Sequence, residues 1–285
     1  MIHVHQLEYT YPKATAPTVR GISFGVGPGE IFGFLGPSGS GKSTTQRILY
    51  KLLHGYQGEV RVKDRPLAAW DASFYHTIGV GFELPNHYAK LTALENLRFF
   101  GAFYPRRYAA PRALLEMVGL GADADKRVGD FSKGMKMRLN FVRAFQHDPD
   151  ILFLDEPTSG LDPVNAKVLK DIIIDLRAAG KTIFLTTHSM WDADALCDRV
   201  ALIIDGEIKA TGVPAALKLQ HGQRKVRVEV EGRRDAPQFP LAGLGENGAF
   251  LQLLRTHEVR TIHSEEATLE DVFIQVTGAR LHATS

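Results

Sequence analysis

The sequence predicts an α/β fold: a mostly parallel sheet, interrupted by a helical insertion and followed by a small α+β C-terminal module. Three observations predict it. Short apolar runs ending in glycine or acids alternate with helical patterns. Residues about 84–149 keep a helical pattern without a strand. Lys225-Val226-Arg227-Val228-Glu229-Val230-Glu231 then alternates strictly, as a half-buried strand does. The expected domains are residues 1–219, with the helical subdomain inside, and 220–285.

Taken in order, Glu30 to Leu35 is an apolar strand that runs into glycine. A helix follows, with Ile48, Leu49, Leu52 and Leu53 on one face and Gly55 as its stop. Ile78 to Phe82 reads as a strand. In the insertion, Arg112 to Val118 is a helix ended by Gly119, and Ser132 to His147 is one ended by Asp148-Pro149. Ile151–Leu154, Thr182–Thr186 and Val200–Ile204 are buried strands. A helix between the first two buries Val168, Leu169, Ile172, Ile173 and Leu176. Leu269, Val272, Phe273 and Val276 form a last apolar helical face.

Composition narrows the function. With 285 residues, 44% hydrophobic and 23% charged, the chain is an ordinary globular protein. A formal charge of +2 is too balanced to point to nucleic acid, and no nucleic-acid partner is expected. The single cysteine, Cys197, excludes an internal disulfide and fits a reducing compartment. The start, Met1 to Tyr11, has no apolar core and is not a signal peptide. No apolar run approaches the about 20 residues of a membrane span. A membrane role is therefore expected to be peripheral.

The chemistry begins at Gly36-Pro37-Ser38-Gly39-Ser40-Gly41-Lys42-Ser43. The glycines let the backbone wrap phosphate oxygens with its N–H groups inward, and the helix starting near Lys42 adds its positive end. Lys42 is placed to neutralise β- and γ-phosphates and the Ser43 hydroxyl to ligate Mg²⁺, with Thr44 as a further contact. The loop sits at a strand-to-helix junction, as the binding of a nucleotide's phosphates demands. A second strand, Ile151–Leu154, ends in Asp155-Glu156. Ligands gather at the carboxyl ends of parallel strands, which puts Asp155 beside the metal and Glu156 beside the attacking water.

These residues resemble an ABC-type ATPase over roughly residues 2–215. Asp155 to Asp162 looks like the Walker B strand running into the D-loop, Phe131-Ser132-Lys133-Gly134-Met135 stands at the signature, and Leu185-Thr186-Thr187-His188 looks like the H-loop strand. The resemblance implies a P-loop NTPase core with an antiparallel N-terminal β part and a helical ABC subdomain. It implies Mg²⁺-dependent ATP hydrolysis between two copies of the chain. Ser132 and Gly134 would meet the γ-phosphate held by the other copy, His188 would contact the γ-phosphate, and Asp162 would organise the dimer interface. Read alone, Ser132 is also a helix cap. Tyr11 and Tyr9 both compete for the ring that stacks on adenine; Tyr11 is preferred, although alternation puts both on one face.

Two positions depart from the family pattern. Glu83 stands where the family has glutamine; it is expected to ligate or orient the metal while adding negative charge. Lys133 and Met135 replace a glycine and a glutamine in the signature, a form resembling ABC-2 exporters. Tyr88, Phe99, Phe100, Phe103 and Tyr104 are expected to supply the subdomain core, and any left exposed to receive a membrane subunit. The implied protein is a peripheral ATPase on the cytoplasmic face of the membrane, powering an integral permease that exports drugs or other amphipathic compounds. The alternatives are an importer ATPase, a non-transport ABC ATPase, or a subunit that holds ATP without turnover.

Overall fold

The computed structural model describes residues 1–221, 224–233 and 235–278. The chain divides into two compact units, Met1–Thr211 and the part from Gly212 onward. The boundary lies earlier than the sequence reading of 219, because α8 (Pro214–His221) packs on α10 (Leu269–Thr277) within the second unit.

The first unit opens with β1 (Ile2–Tyr9) and β2 (Val19–Val26). Then come β3 (Ile31–Leu35), α1 (Lys42–Leu49), β4 (Gln57–Val62), β5 (Arg65–Pro66), α2 (Phe74–Thr77) and β6 (Ile78–Gly81). The helical insertion holds α3 (Ala93–Gly101), α4 (Pro111–Met117) and α5 (Lys133–Phe145). The chain returns through β7 (Ile151–Asp155), α6 (Pro163–Ala178), β8 (Thr182–Thr187), α7 (Met190–Leu196), β9 (Arg199–Ile204) and β10 (Glu207–Gly212).

Among the described residues, β2-β1-β4-β5 form an antiparallel sheet and β10-β9-β3-β8-β7-β6 a larger one, in which β9, β3, β8, β7 and β6 run parallel. β3, β7 and β8 are buried throughout, which explains why they read as unbroken apolar runs. Between the sheets lies a core in which Phe24, Phe32, Phe34 and Phe184 pack with centroids 5.1–6.2 Å apart. This core holds rigid the strand ends from which the phosphate loop and both acids project.

α1 is shorter than the sequence suggests. It ends at Leu49, and Lys51 takes a positive φ of 60°. The amides of Leu52 and Leu53 turn back to Arg47 O, and Leu52 is exposed. α5 is capped by Ser132, whose side chain accepts from Met135 N at 3.2 Å, so the cap reading of Ser132 holds.

The second unit contains α8, then β11 (Lys225–Val230), β12 (Gln238–Pro240), α9 (Gly248–Thr256), β13 (Val259–Glu265) and α10. Its sheet has the order β12-β11-β13, with Val226, Val228 and Val230 packed on Phe250 and Leu253.

Candidate functional site

The phosphate loop joins β3 to α1. A Cβ on Gly36 would fall 2.0 Å from Ile203 O, so only glycine lets the loop pass this close to β9. Gly39 and Gly41 take φ of 81° and 102°, values that side chains avoid. Lys42 Nζ folds back and donates to Gly36 O at 2.6 Å and Pro37 O at 2.9 Å. Ser40 is buried, and its hydroxyl has no hydrogen-bond partner among the described residues. A loop carrying a buried cation and an unused hydroxyl fits an anionic ligand such as a phosphate chain.

Three carboxylates act on Lys42. Its pKa is lowered by burial, against the opposing pull of Glu156, Asp155 and Glu83. Ser43 Oγ donates to Asp155 Oδ1 at 3.2 Å, and Thr186 Oγ1 donates to the same oxygen. Ser43 and Asp155 offer the hard oxygen donors that Mg²⁺ prefers. Among the described residues no group of three or more His, Cys, Asp or Glu is arranged to hold a metal alone. A cation here would complete its shell with phosphate oxygens and water.

Glu156 follows β7 in the left-handed region at φ 48°, fixed by its N–H donating to Thr186 O at 3.1 Å. His188 Nδ1 lies 2.9 Å from Glu156 Oε1. Burial raises the Glu156 pKa, while the His188 hydrogen bond and charge and the Lys42 charge pull it down. The result is a carboxylate above its ordinary range, and so a stronger base than an ordinary carboxylate. A cavity of about 280 Å³ brings together Ser38, Gly39, Gly41, Lys42, Ser43, Thr44, Glu83, Glu156 and His188.

Tyr11 lies outside β1, with its hydroxyl 3.2 Å from Thr44 Oγ1. Tyr9 is buried and meets the Tyr11 ring edge-on at 5.0 Å. β1 ends at Tyr9, so strand alternation does not extend to Tyr11. Ser132, Gly134 and Asp162 do not line the cavity. Asp162 caps α6, accepting from Val164 N at 3.1 Å and Asn165 N at 3.0 Å, and hydrogen bonds from Asn165 hold its carboxyl below the usual range.

Sequence reasoning missed two residues. Thr18 lines the cavity from the residue just before β2, where no local pattern marks it. Gln46 is fully buried and donates to Leu154 O at 3.1 Å and Phe184 O at 3.3 Å, tying α1 to β7 and β8; a polar residue on a helix face that carries Ile48 and Leu49 was the available signal.

Away from the cavity, a groove of about 540 Å³ is lined by Tyr50, Phe82, Tyr88, Phe100, Tyr104 and Arg143, among others. Tyr88, Phe99 and Phe103 are exposed, whereas Phe100 and Tyr104 are half-buried.

A family model described as "ABC transporter" matches residues 19–159, across the phosphate loop and both acids. The fluoroquinolones export ATP-binding protein of Mycobacterium tuberculosis (strain H37Rv) is 55% identical over 284 residues, covering 99% of this chain and 94% of that one. The chain belongs to the ABC transporter ATP-binding family. A second family model, "Fluoroquinolone efflux ABC transporter C-terminal domain", matches residues 224–266. The Nod factor export ATP-binding protein I of Burkholderia pseudomallei (strain K96243) is 41% identical over 300 residues, covering 98% of each chain. Among solved structures, an ATP-binding cassette seen as a dimer in a post-hydrolysis state with ADP and Pi superposes with a TM-score of 0.69 at 26% identity, covering 75% of this chain and 98% of that one. The fold is that of an ABC ATPase, whose family couples ATP hydrolysis to transport.

Proposed function

We propose that this ABC ATPase hydrolyses ATP in a Mg²⁺-dependent reaction and so powers an export permease. Gly36 to Thr44 hold the phosphates, Lys42 meets the β- and γ-phosphates, and Tyr11 stacks on adenine. Ser43, Asp155 and Glu83 hold the metal, which when bound offsets charge on the phosphate oxygens. Glu156 orients the attacking water and takes its proton, and His188 holds Glu156 and contacts the γ-phosphate. The observation that carries this reading is the 2.9 Å pair of Glu156 and His188 in one cavity with Lys42 and Ser43.

Ser132 and Gly134 lie outside that cavity, which supports a second copy supplying them, with Asp162 at the interface. The groove lined by exposed Tyr88 is the proposed seat of an integral permease, and the proposed location of the chain is peripheral, on the cytoplasmic face of the membrane. The 55% relative is named as a fluoroquinolones export ATP-binding protein. Amphipathic drugs are accordingly the proposed cargo. In this reading the unit Met1–Thr211 carries the ATPase domain and the unit from Gly212 onward an accessory module.

The test is phosphate release by the purified chain, alone and in membranes holding its permease. Turnover should vanish with a Mg²⁺ chelator and rise more steeply than linearly with protein concentration where the dimer is dilute. A rate indifferent to chelation, or strictly proportional to protein throughout, overturns the reading.

A further inference from the structure

In the dimer reading each chain carries two half-sites: the phosphate cavity with Glu156 and His188, and the Ser132–Gly134 turn that serves the other copy's nucleotide. The loop from Pro157 to Leu161 runs out of the first. It is folded by Ser159 N donating to Glu156 O at 3.1 Å and Leu161 N donating to Thr158 O at 3.2 Å, with Gly160 at φ 72°.

One end of this loop is clasped to the His188 turn. Thr158 Oγ1 donates to Asp192 Oδ2 at 2.7 Å, and Asp192 Oδ1 accepts from Lys170 Nζ on α6 at 2.9 Å. Asp192 sits in the first turn of α7, where its N–H donates at 3.2 Å to the capping hydroxyl of Ser189, the residue after His188. The Asp192 and Lys170 side chains are only 16% and 20% exposed. The loop's other end rests against the start of α5. A Cβ on Gly134 would lie 3.5 Å from Leu161 Cδ2, and one on Gly160 would lie 3.3 Å from Lys133 Nζ. Asp192 does not line the nucleotide cavity, so its two engaged oxygens act on elements and not on substrate.

We propose that Asp192 is a positioning residue that links the two half-sites of one chain. It ties the 157–161 loop to the His188 turn, so a shift of His188 on loss of the γ-phosphate moves Gly160 and Leu161 against Lys133 and Gly134. Hydrolysis at one nucleotide thereby changes the grip on the other. A charge-assisted hydrogen bond that is mostly shielded from water transmits such a shift better than an exposed contact. The link rests on the two-copy reading above.

The experiment follows the ATP dependence of hydrolysis by the full chain, its melting temperature, and ATP-driven dimerisation in the Glu156→Gln background. Thr158→Val and Asp192→Ala should each lower the Hill coefficient from about 2 towards about 1. The double variant should fall no further than either single one, as expected of a shared link. Thr158→Ser keeps the hydroxyl and should keep the cooperativity. Variants that melt earlier but retain the wild-type Hill coefficient overturn the proposal, and so does a non-cooperative wild type that still dimerises. If the Glu156→Gln chain stays monomeric with ATP, the two-copy reading itself fails. Thr158→Val alone decides the matter if Asp192→Ala does not fold.

Discussion

His188 Nδ1 lies 2.9 Å from Glu156 Oε1, joining a half-exposed imidazole to a carboxylate that is only 11% exposed. Two forces oppose each other at that carboxylate. Burial pushes its pKa up, and the imidazole, with Lys42, draws it down. A general base works only when ionised, so activity should fall as pH drops through this raised pKa. Removing the imidazole removes a downward pull, which raises the pKa further. His188→Ala should therefore move the acid limb of the kcat profile to higher pH, beyond any loss of rate at the plateau. Phosphate release measured from about pH 5 to about pH 8 checks this. An acid limb that stays where it was would mean His188 does not tune Glu156.

Glu156→Gln keeps the size of the side chain and removes its basicity. Turnover should drop at least about 100-fold, the usual worth of a positioned base. ATP binding should survive, because Lys42, Ser43 and the loop amides are untouched. Equilibrium binding beside a phosphate-release assay separates the two effects. Equal loss of binding and turnover would give Glu156 a structural role instead.

Glu83 is one of three carboxylates whose charge reaches Lys42. Glu83→Gln removes that charge from the cavity while keeping an oxygen donor. The Mg²⁺ concentration for half-maximal rate should change, and turnover with it. A titration of activity with Mg²⁺ at saturating ATP reads both, and identical curves would remove Glu83 from the site.

How much of this was legible in the sequence depended on distance along the chain. The phosphate loop and the Asp155-Glu156 pair are local patterns, each spelled out within eight residues, and their strand-end positions follow from buried apolar runs. Thr18 belongs to the same cavity through a chain crossing that no local pattern encodes. Leu52 and Leu53 continue a helical apolar face, yet the helix stops at Leu49, because the amides of both leucines cap Arg47 O in a turn. β13 left little signal, since Arg260, His263 and Ser264 are exposed and its face is only partly apolar. The Asp192 clasp joins residues 34 positions apart, so it appears only once α6 and α7 are folded.

Gly79 bears on stability and not on chemistry. A Cβ at this position in β6 would lie 1.9 Å from Ala144 O and 2.8 Å from Leu152 Cδ2. The nearest obstacle is backbone of α5, which cannot rotate away as a flexible side chain would. Gly79→Ala must therefore push the helical insertion off the sheet edge, at a cost of about 1–3 kcal/mol or more. Gly245→Ala is the control, because a Cβ there meets nothing within 4 Å and its φ is not in the left-handed region. Thermal unfolding of the two variants should show a melting temperature lower by at least about 3 °C for Gly79→Ala and little change for Gly245→Ala. Indistinguishable melting curves would mean that β6 and α5 can separate at no cost, which their close packing argues against.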